Sequence, residues 1–164
     1  MRTVRAASVA LGVSLGLVLC GMAAGAAADP VPAADPPPAP GATDIWAGTL
    51  PGPAKAKQDG VTLRTKGDTT VRMFTLTYPA GSDSGWHAHP GIVVAVVRSG
   101  TVVRQAGCRI ETFSAGDSFT EVGPHDVRNL GTGPAVLSIT QVFPVGDQPR
   151  LPADPPVCRP HPHR

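Results

Sequence analysis

The chain has 164 residues, room for one domain of ordinary size with flanking segments and not for two independent cores. Its 14 basic and 12 acidic residues include no run of Lys and Arg interleaved with aromatics, which disfavours nucleic acid and anionic lipid as partners. No P-loop, dinucleotide fingerprint, Cys-x-x-Cys pair or nucleophile-elbow serine occurs, so nucleotide-dependent and serine-hydrolase chemistry lack support.

Residues 1–28 have the order of a secretory signal: Arg2 and Arg5, an uncharged run of apolar and small residues, then Ala26-Ala27-Ala28 before Asp29. Cleavage is expected after Ala28. The run from Ala6 to Ala28 is also long enough for a membrane anchor, which needs about 20 residues. Its second half is mostly Ala and Gly and ends in an A-x-A site, which favours removal and leaves no stable membrane span. Leu17-Val18-Leu19-Cys20 looks like a lipoprotein box, although Leu19 stands where such boxes carry a small residue. Cleavage removes two basic residues and no acids, leaving 12 of each on a nearly neutral, secreted or cell-surface protein. It also leaves Cys108 and Cys158 as an even pair in an oxidising compartment. A disulfide pinning the C-terminal tail to the folded domain is the expectation; two unrelated thiols, one of them buried, are the alternative.

Residues 29–43, DPVPAADPPPAPGAT, form a Pro/Ala-rich linker in which proline denies the backbone its donors and nothing is left to pack. From residue 44 to 145, short alternating or β-branched runs are punctuated by Gly, Pro, Asp and Ser at roughly eight- to twelve-residue intervals, the pattern of a sandwich or barrel. The clearest strands are Val61 to Arg64, Thr70 to Tyr78, Ile92 to Arg98, Thr101 to Gln105, Ser118 to Val122 and Ala135 to Phe143. Ile92 to Val97 is apolar on both alternations, so both faces of that strand call for cover. One face can look into a barrel; a homodimer is one way to cover the other, a well-closed monomer the plainer way. Residues 146–164 read as a second mobile, Pro-rich segment, so disordered segments are expected at both ends of the domain.

His87 and His89 stand two residues apart in Gly85-Trp86-His87-Ala88-His89, and on an extended strand such side chains share a face. That spacing lets both imidazoles reach one metal ion at about 2.1 Å. A third candidate, His125, lies in the turn after a later strand, following Gly123-Pro124.

These two segments resemble the paired motifs of the cupin superfamily. The first, G-x5-H-x-H-x3-E-x6-G, is met by Gly81, His87, His89 and Gly100, with Val93 where the Glu belongs. The second, approximately G-x5-P-x-G-x2-H-x3-N, is met by Gly116, His125 and Asn129, with the intervening turn compressed and Pro124 displaced. More narrowly, the Gly85 to Gly91 stretch with His125, Arg128 and Asn129 is similar to a group of small single-domain cupins.

The resemblance implies an all-β, double-stranded β-helix (jelly-roll) barrel and a divalent transition metal, Fe, Zn, Mn, Ni or Cu, held by His87, His89 and His125. Three neutral imidazoles leave the ion's charge uncompensated, so its bound water is more acidic and anions more welcome. In cupins with three histidines and no glutamate, the metal is often iron and the chemistry often oxygen insertion. Glu121, just before the turn into His125, is the candidate catalytic acid or base; it can equally be a late ligand, a partner orienting an imidazole or a solvated strand-end acid. A barrel that has lost its metal and keeps the histidines as satisfied interior residues is the plain alternative.

Trp86 and Gln105 are candidates for the barrel mouth and interior, with packing and surface exposure as their plainer roles; Arg128 reads as a structural ion-pair residue. His161 and His163, on the tail, read as adventitious metal binders. Two functional classes follow: an exported metalloenzyme acting on a small molecule, with Glu121 handling protons, or a non-catalytic barrel that binds a small ligand or a protein partner, with or without metal.

Overall fold

The structure, a computed structural model, describes residues 36–158; the expected signal segment and the His161 and His163 pair lie outside the described residues. Among the described residues there are strands and no helix: β1 (Gly41–Leu50), β2 (Lys55–Gln58), β3 (Val61–Arg64), β4 (Thr69–Tyr78), β5 (His87–Ala88), β6 (Ile92–Ser99), β7 (Thr101–Ala106), β8 (Arg109–Ser114), β9 (Ser118–Glu121), β10 (His125–Arg128), β11 (Ala135–Pro144) and β12 (Leu151–Pro152). Two five-stranded antiparallel sheets, ordered β1-β4-β11-β6-β9 and β12-β5-β10-β7-β8, form the double-stranded β-helix, and β2 and β3 make a separate hairpin. The expected all-β jelly roll is the observed one.

Alternation builds the core. Along β11, Ala135, Leu137, Ile139, Gln141 and Phe143 are buried while the residues between them are not, as a strand with one face on the core requires. Ala135, Leu137 and Ile139 pack in one core cluster with Tyr78, Val93, Ala95, Val97, Val102, Phe119 and Val127 from neighbouring strands and the facing sheet. On β6 only one alternation is covered: Val93, Ala95 and Val97 are buried, whereas Ile92, Val94 and Val96 are 54%, 40% and 41% exposed. Within a single chain, the outer face that the sequence reading wanted covered stays open.

The registers place one transverse row of inward side chains across the first sheet. Arg72 of β4 pairs with Gln141 of β11, Gln141 with Val93 of β6, and Val93 with Glu121 of β9. Residues paired across adjacent antiparallel strands point to the same face, so Arg72, Gln141 and Glu121 project together into the barrel.

Both ends of the domain reach further than composition suggests. The last residues of the expected linker, Gly41 to Thr43, already pair with Thr77 to Thr75 of β4. The tail is built into the fold as far as Cys158: Leu151 and Pro152 pair with β5, the Ala153 N–H donates to the Trp86 carbonyl at 3.4 Å, and Cys108 and Cys158 form the expected disulfide. A Pro-rich sequence carries no local strand signal; pairing with β5 and the covalent link supply the order here.

Candidate metal centre

His87 and His125 face each other across the β5–β10 ladder, where they are register partners. His89 follows β5 directly. The three rings lie with centroids 4.3 to 5.2 Å apart, and one nitrogen from each falls within 4.8 Å of the others. The structure thus brings together all three histidines singled out from the sequence.

Each imidazole is oriented through Nδ1. His87 Nδ1 donates to the Gly85 carbonyl at 2.8 Å, His125 Nδ1 to the Gly123 carbonyl at 2.8 Å, and His89 Nδ1 to the Pro149 carbonyl at 2.6 Å. A carbonyl only accepts, so these contacts assign the proton to Nδ1 and leave each Nε2 as a lone pair. Gly85 and Gly123 sit at φ +64° and +74°, left-handed conformations that glycine adopts without penalty. Each turns its carbonyl back onto the histidine two residues later. The repeated Gly-x-His unit is therefore an orienting device.

Glu121 reaches the same point. Its Oε2 lies 3.4 Å from His89 Nε2 and 3.3 Å from His125 Nε2, and the residue is 7% exposed. The contact with His125 is close enough for charge attraction but too poorly aligned for a hydrogen bond, since His125 Nε2 is buried without a hydrogen-bond partner. With the protons on Nδ1, two imidazole lone pairs face a carboxylate oxygen: acceptors aimed at acceptors. Such an array needs a cation at its centre, either a proton or a metal ion. A divalent ion fits it, because three imidazole nitrogens and a carboxylate oxygen suit transition metals.

Burial lowers the pKa of His87 to about 4, helped by the nearby His125, Arg150 and His89, so that ring is neutral at physiological pH. Burial also disfavours charge on His125, but the adjacent Glu121 carboxylate more than offsets this and leaves its pKa raised. For Glu121 burial works upward and is outweighed by His125 and His89, which hold its pKa down to about 2. The carboxylate is therefore ionised and acceptor-only.

Beside the cluster lies a cavity of about 430 Å3, lined by His87, His89 and Glu121 together with Phe74, Leu76, Leu137 and Ile139 as an apolar wall. Arg72, Gln141, Tyr78 and Arg150 also line it. Burial raises the pKa of the Tyr78 phenol, so it remains protonated.

The family model described as the cupin domain matches residues 74–142. Over these residues the chain carries a cupin domain. Solved structures similar to this cupin include a Klebsiella pneumoniae protein with a double-stranded β-helix domain, 24% identical, covering 51% of this chain and 75% of that one, with a TM-score of 0.45. They also include the TT1209 protein of Thermus thermophilus, 27% identical over 45% of this chain and 74% of that one, TM-score 0.41. A third is a Cupin 2 conserved barrel domain protein from Salinispora arenicola, 17% identical over 46% and 64% of the two chains, TM-score 0.42. No curated protein matches the chain.

The remaining motif residues of this cupin take structural places. Asn129 is buried, donating from Nδ2 to the carbonyls of Tyr78, Pro79 and Gly133 and accepting from the Gly131 N–H. It ties the end of β4 to the turn after β10. Arg128 pairs with Asp126 at 2.6 Å and Asp83 at 3.2 Å. Gln105 bonds the nearby Gly107 carbonyl, and neither it nor Trp86 lines the cavity.

Arg72, Gln141 and Arg150 are among the polar lining residues that the sequence did not single out, as are Tyr78, Asp83 and Ser84. A usable signal existed for the first: in Arg72-Met73-Phe74-Thr75-Leu76-Thr77-Tyr78, strict alternation puts Arg72 on the face of Phe74, Leu76 and Tyr78.

Proposed function

We infer that this chain is an exported metal-binding cupin in which a divalent transition ion, held by Nε2 of His87, His89 and His125 and by the Glu121 carboxylate, acts on a small molecule in the adjoining cavity. The observation that carries this reading is the convergence of three Nε2 lone pairs and one ionised carboxylate, with each imidazole oriented by its own backbone carbonyl. The register supplies the reason for Glu121: it is the direct cross-strand partner of Val93, so the carboxylate missing from the first motif is replaced one strand over on the same face.

When bound, such an ion supplies Lewis acidity and, where it is redox active, reactivity toward dioxygen. The chain's own residues do the rest. Glu121 compensates part of the ion's charge, the three Nδ1 contacts fix the ligand geometry, and the neutral Tyr78 phenol offers a proton donor to whatever occupies the cavity. The apolar wall excludes water from that side. Export rests on the order of the first 28 residues and agrees with a structural disulfide, the state expected of an oxidising compartment.

Metal analysis of protein purified without a histidine tag tests this reading. The expected result is close to one transition ion per chain, lost in His87→Ala and in His125→Ala. Glu121→Gln, which keeps the shape and removes the charge, should weaken affinity by about tenfold or more. Wild-type protein that holds no metal, and whose thermal stability does not respond to added metal ions, would overturn it.

A further inference from the structure

We propose that the cavity is a binding site for an organic carboxylate with a compact apolar body, its carboxylate gripped by Arg72 and its body lying toward the histidine cluster. The proposal rests on the metal-centre reading only for what happens at the far end of the ligand; the Arg72 contact stands without it.

Arg72 is an inward residue of β4, partly buried among apolar neighbours. Its guanidinium lies over the Phe74 ring, with Cζ 4.7 Å from the ring centre, and Nη1 donates to Gln141 Oε1 at 3.2 Å. Among the described residues no carboxylate lies within ion-pair reach of it, although Arg104, Arg109 and Arg128 all have such partners. A guanidinium carries five N–H donors in a fixed fork. Packing thus orients this one while leaving most of its donors and all of its charge uncompensated.

The two carboxylates lining the cavity do not serve Arg72. Asp83 pairs with Arg128, and Glu121 is occupied with His89 and His125. Glu121 is also distant, since along the row Arg72, Gln141, Val93, Glu121 the two ends are separated by three strand spacings, about 14 Å between backbones. A ligand carboxylate on Arg72 therefore sits clear of the glutamate. Beside that row, along β4 and β11 from the Arg72–Gln141 pair, Phe74, Leu76, Leu137 and Ile139 line the cavity, which favours a hydrocarbon or aromatic body over a sugar or polyol. Arg150 stands exposed at the mouth, its Nη2 donating to the Ser84 carbonyl at 2.5 Å. It adds a second positive charge to the lining, away from the Arg72 end.

Benzoate is a suitable probe, with benzyl alcohol as its uncharged counterpart, titrated calorimetrically into the full chain with metal content measured on the same samples. Benzoate is expected to bind the wild type, and Arg72→Gln to weaken it by about tenfold or more, the worth of a charge-assisted bidentate contact. Arg72→Lys should recover only part of that loss because it keeps the charge and forfeits the fork. Benzyl alcohol should not distinguish wild type from variant. Protection of Arg72 from phenylglyoxal by benzoate, read by peptide mapping of the wild type, keeps the proposal testable if Arg72→Gln does not fold. Benzoate binding that is indifferent to Arg72→Gln, absence of binding to metal-loaded protein, or modification of Arg72 undiminished by benzoate would overturn the proposal. Arg72-dependent binding to protein that takes up no metal would overturn the metal reading and leave this one standing.

Discussion

His87 and His125 are held from within their own turns, each by a glycine carbonyl two residues upstream, whereas His89 is held by the Pro149 carbonyl sixty positions away. The local pair needs only that two strands meet and two glycines take a left-handed conformation. The distant contact needs a whole segment in place: Leu151 and Pro152 paired with β5, Arg150 on the Ser84 carbonyl, and Cys158 joined to Cys108. Two ligands of the candidate centre are thus encoded beside themselves, and the third is conditional on the tail. On that division the disulfide is expected to support the site as well as stability.

The largest effect should follow from cutting the distant support. In a Cys108→Ser, Cys158→Ser double variant, metal affinity measured by chelator competition should fall by about 10- to 100-fold, the usual cost of losing an imidazole's outer partner. The same variant should lose about 2–4 kcal/mol in urea denaturation, as expected for opening a closed loop of this kind. A stability loss with unchanged affinity would show that the tail does not orient His89. The local supports should matter less and matter equally. Gly85→Ala and Gly123→Ala each place a Cβ at positive φ, where no close backbone clash awaits it, so each should cost about 1 kcal/mol of stability from the backbone conformation alone. Affinity should fall in both by similar, smaller factors. A large effect at one glycine and none at the other would break the equivalence of His87 and His125.

Much of this arrangement is legible in the sequence, and what is not has physical causes. Six expected strands appear with ends shifted by a residue at most, because β-branched runs bounded by Gly and Pro are a strong local signal. β1 is hidden because its residues are nearly all exposed, so no apolar alternation marks it. β5 and β12 are two residues long, with order that comes from pairing with distant strands. The histidine set is readable from spacing, but the role of Glu121 depends on its register against Val93, a relation between strands that no single segment carries. Pro149 contributes only a backbone carbonyl, which is invisible to any reading of side chains.

The smallest effect separates the two locally held histidines from each other. In the metal-free protein, burial lowers the pKa of His87 from 6.5 to about 4. Between those values the unfolded chain takes up a proton that the folded chain refuses, so this group's contribution is present above pH 6.5 and is lost as pH falls toward 4. His125 runs the other way. Despite its burial, Glu121 raises its pKa, so its contribution is full below pH 6.5 and is lost as pH rises through the raised value. Glu121, held down to about 2 from 4.5, adds stability above pH 4.5 that is lost only toward pH 2, outside the window where the histidines differ. Urea midpoints of metal-free wild type, His87→Gln and His125→Gln between pH 4 and 8 should therefore diverge. As pH falls, wild type should lose stability relative to His87→Gln and gain it relative to His125→Gln. Difference curves with the same slope would mean that Glu121 does not distinguish the two rings. The two rings, held by turns built alike, would then be equivalent in the folded protein as well.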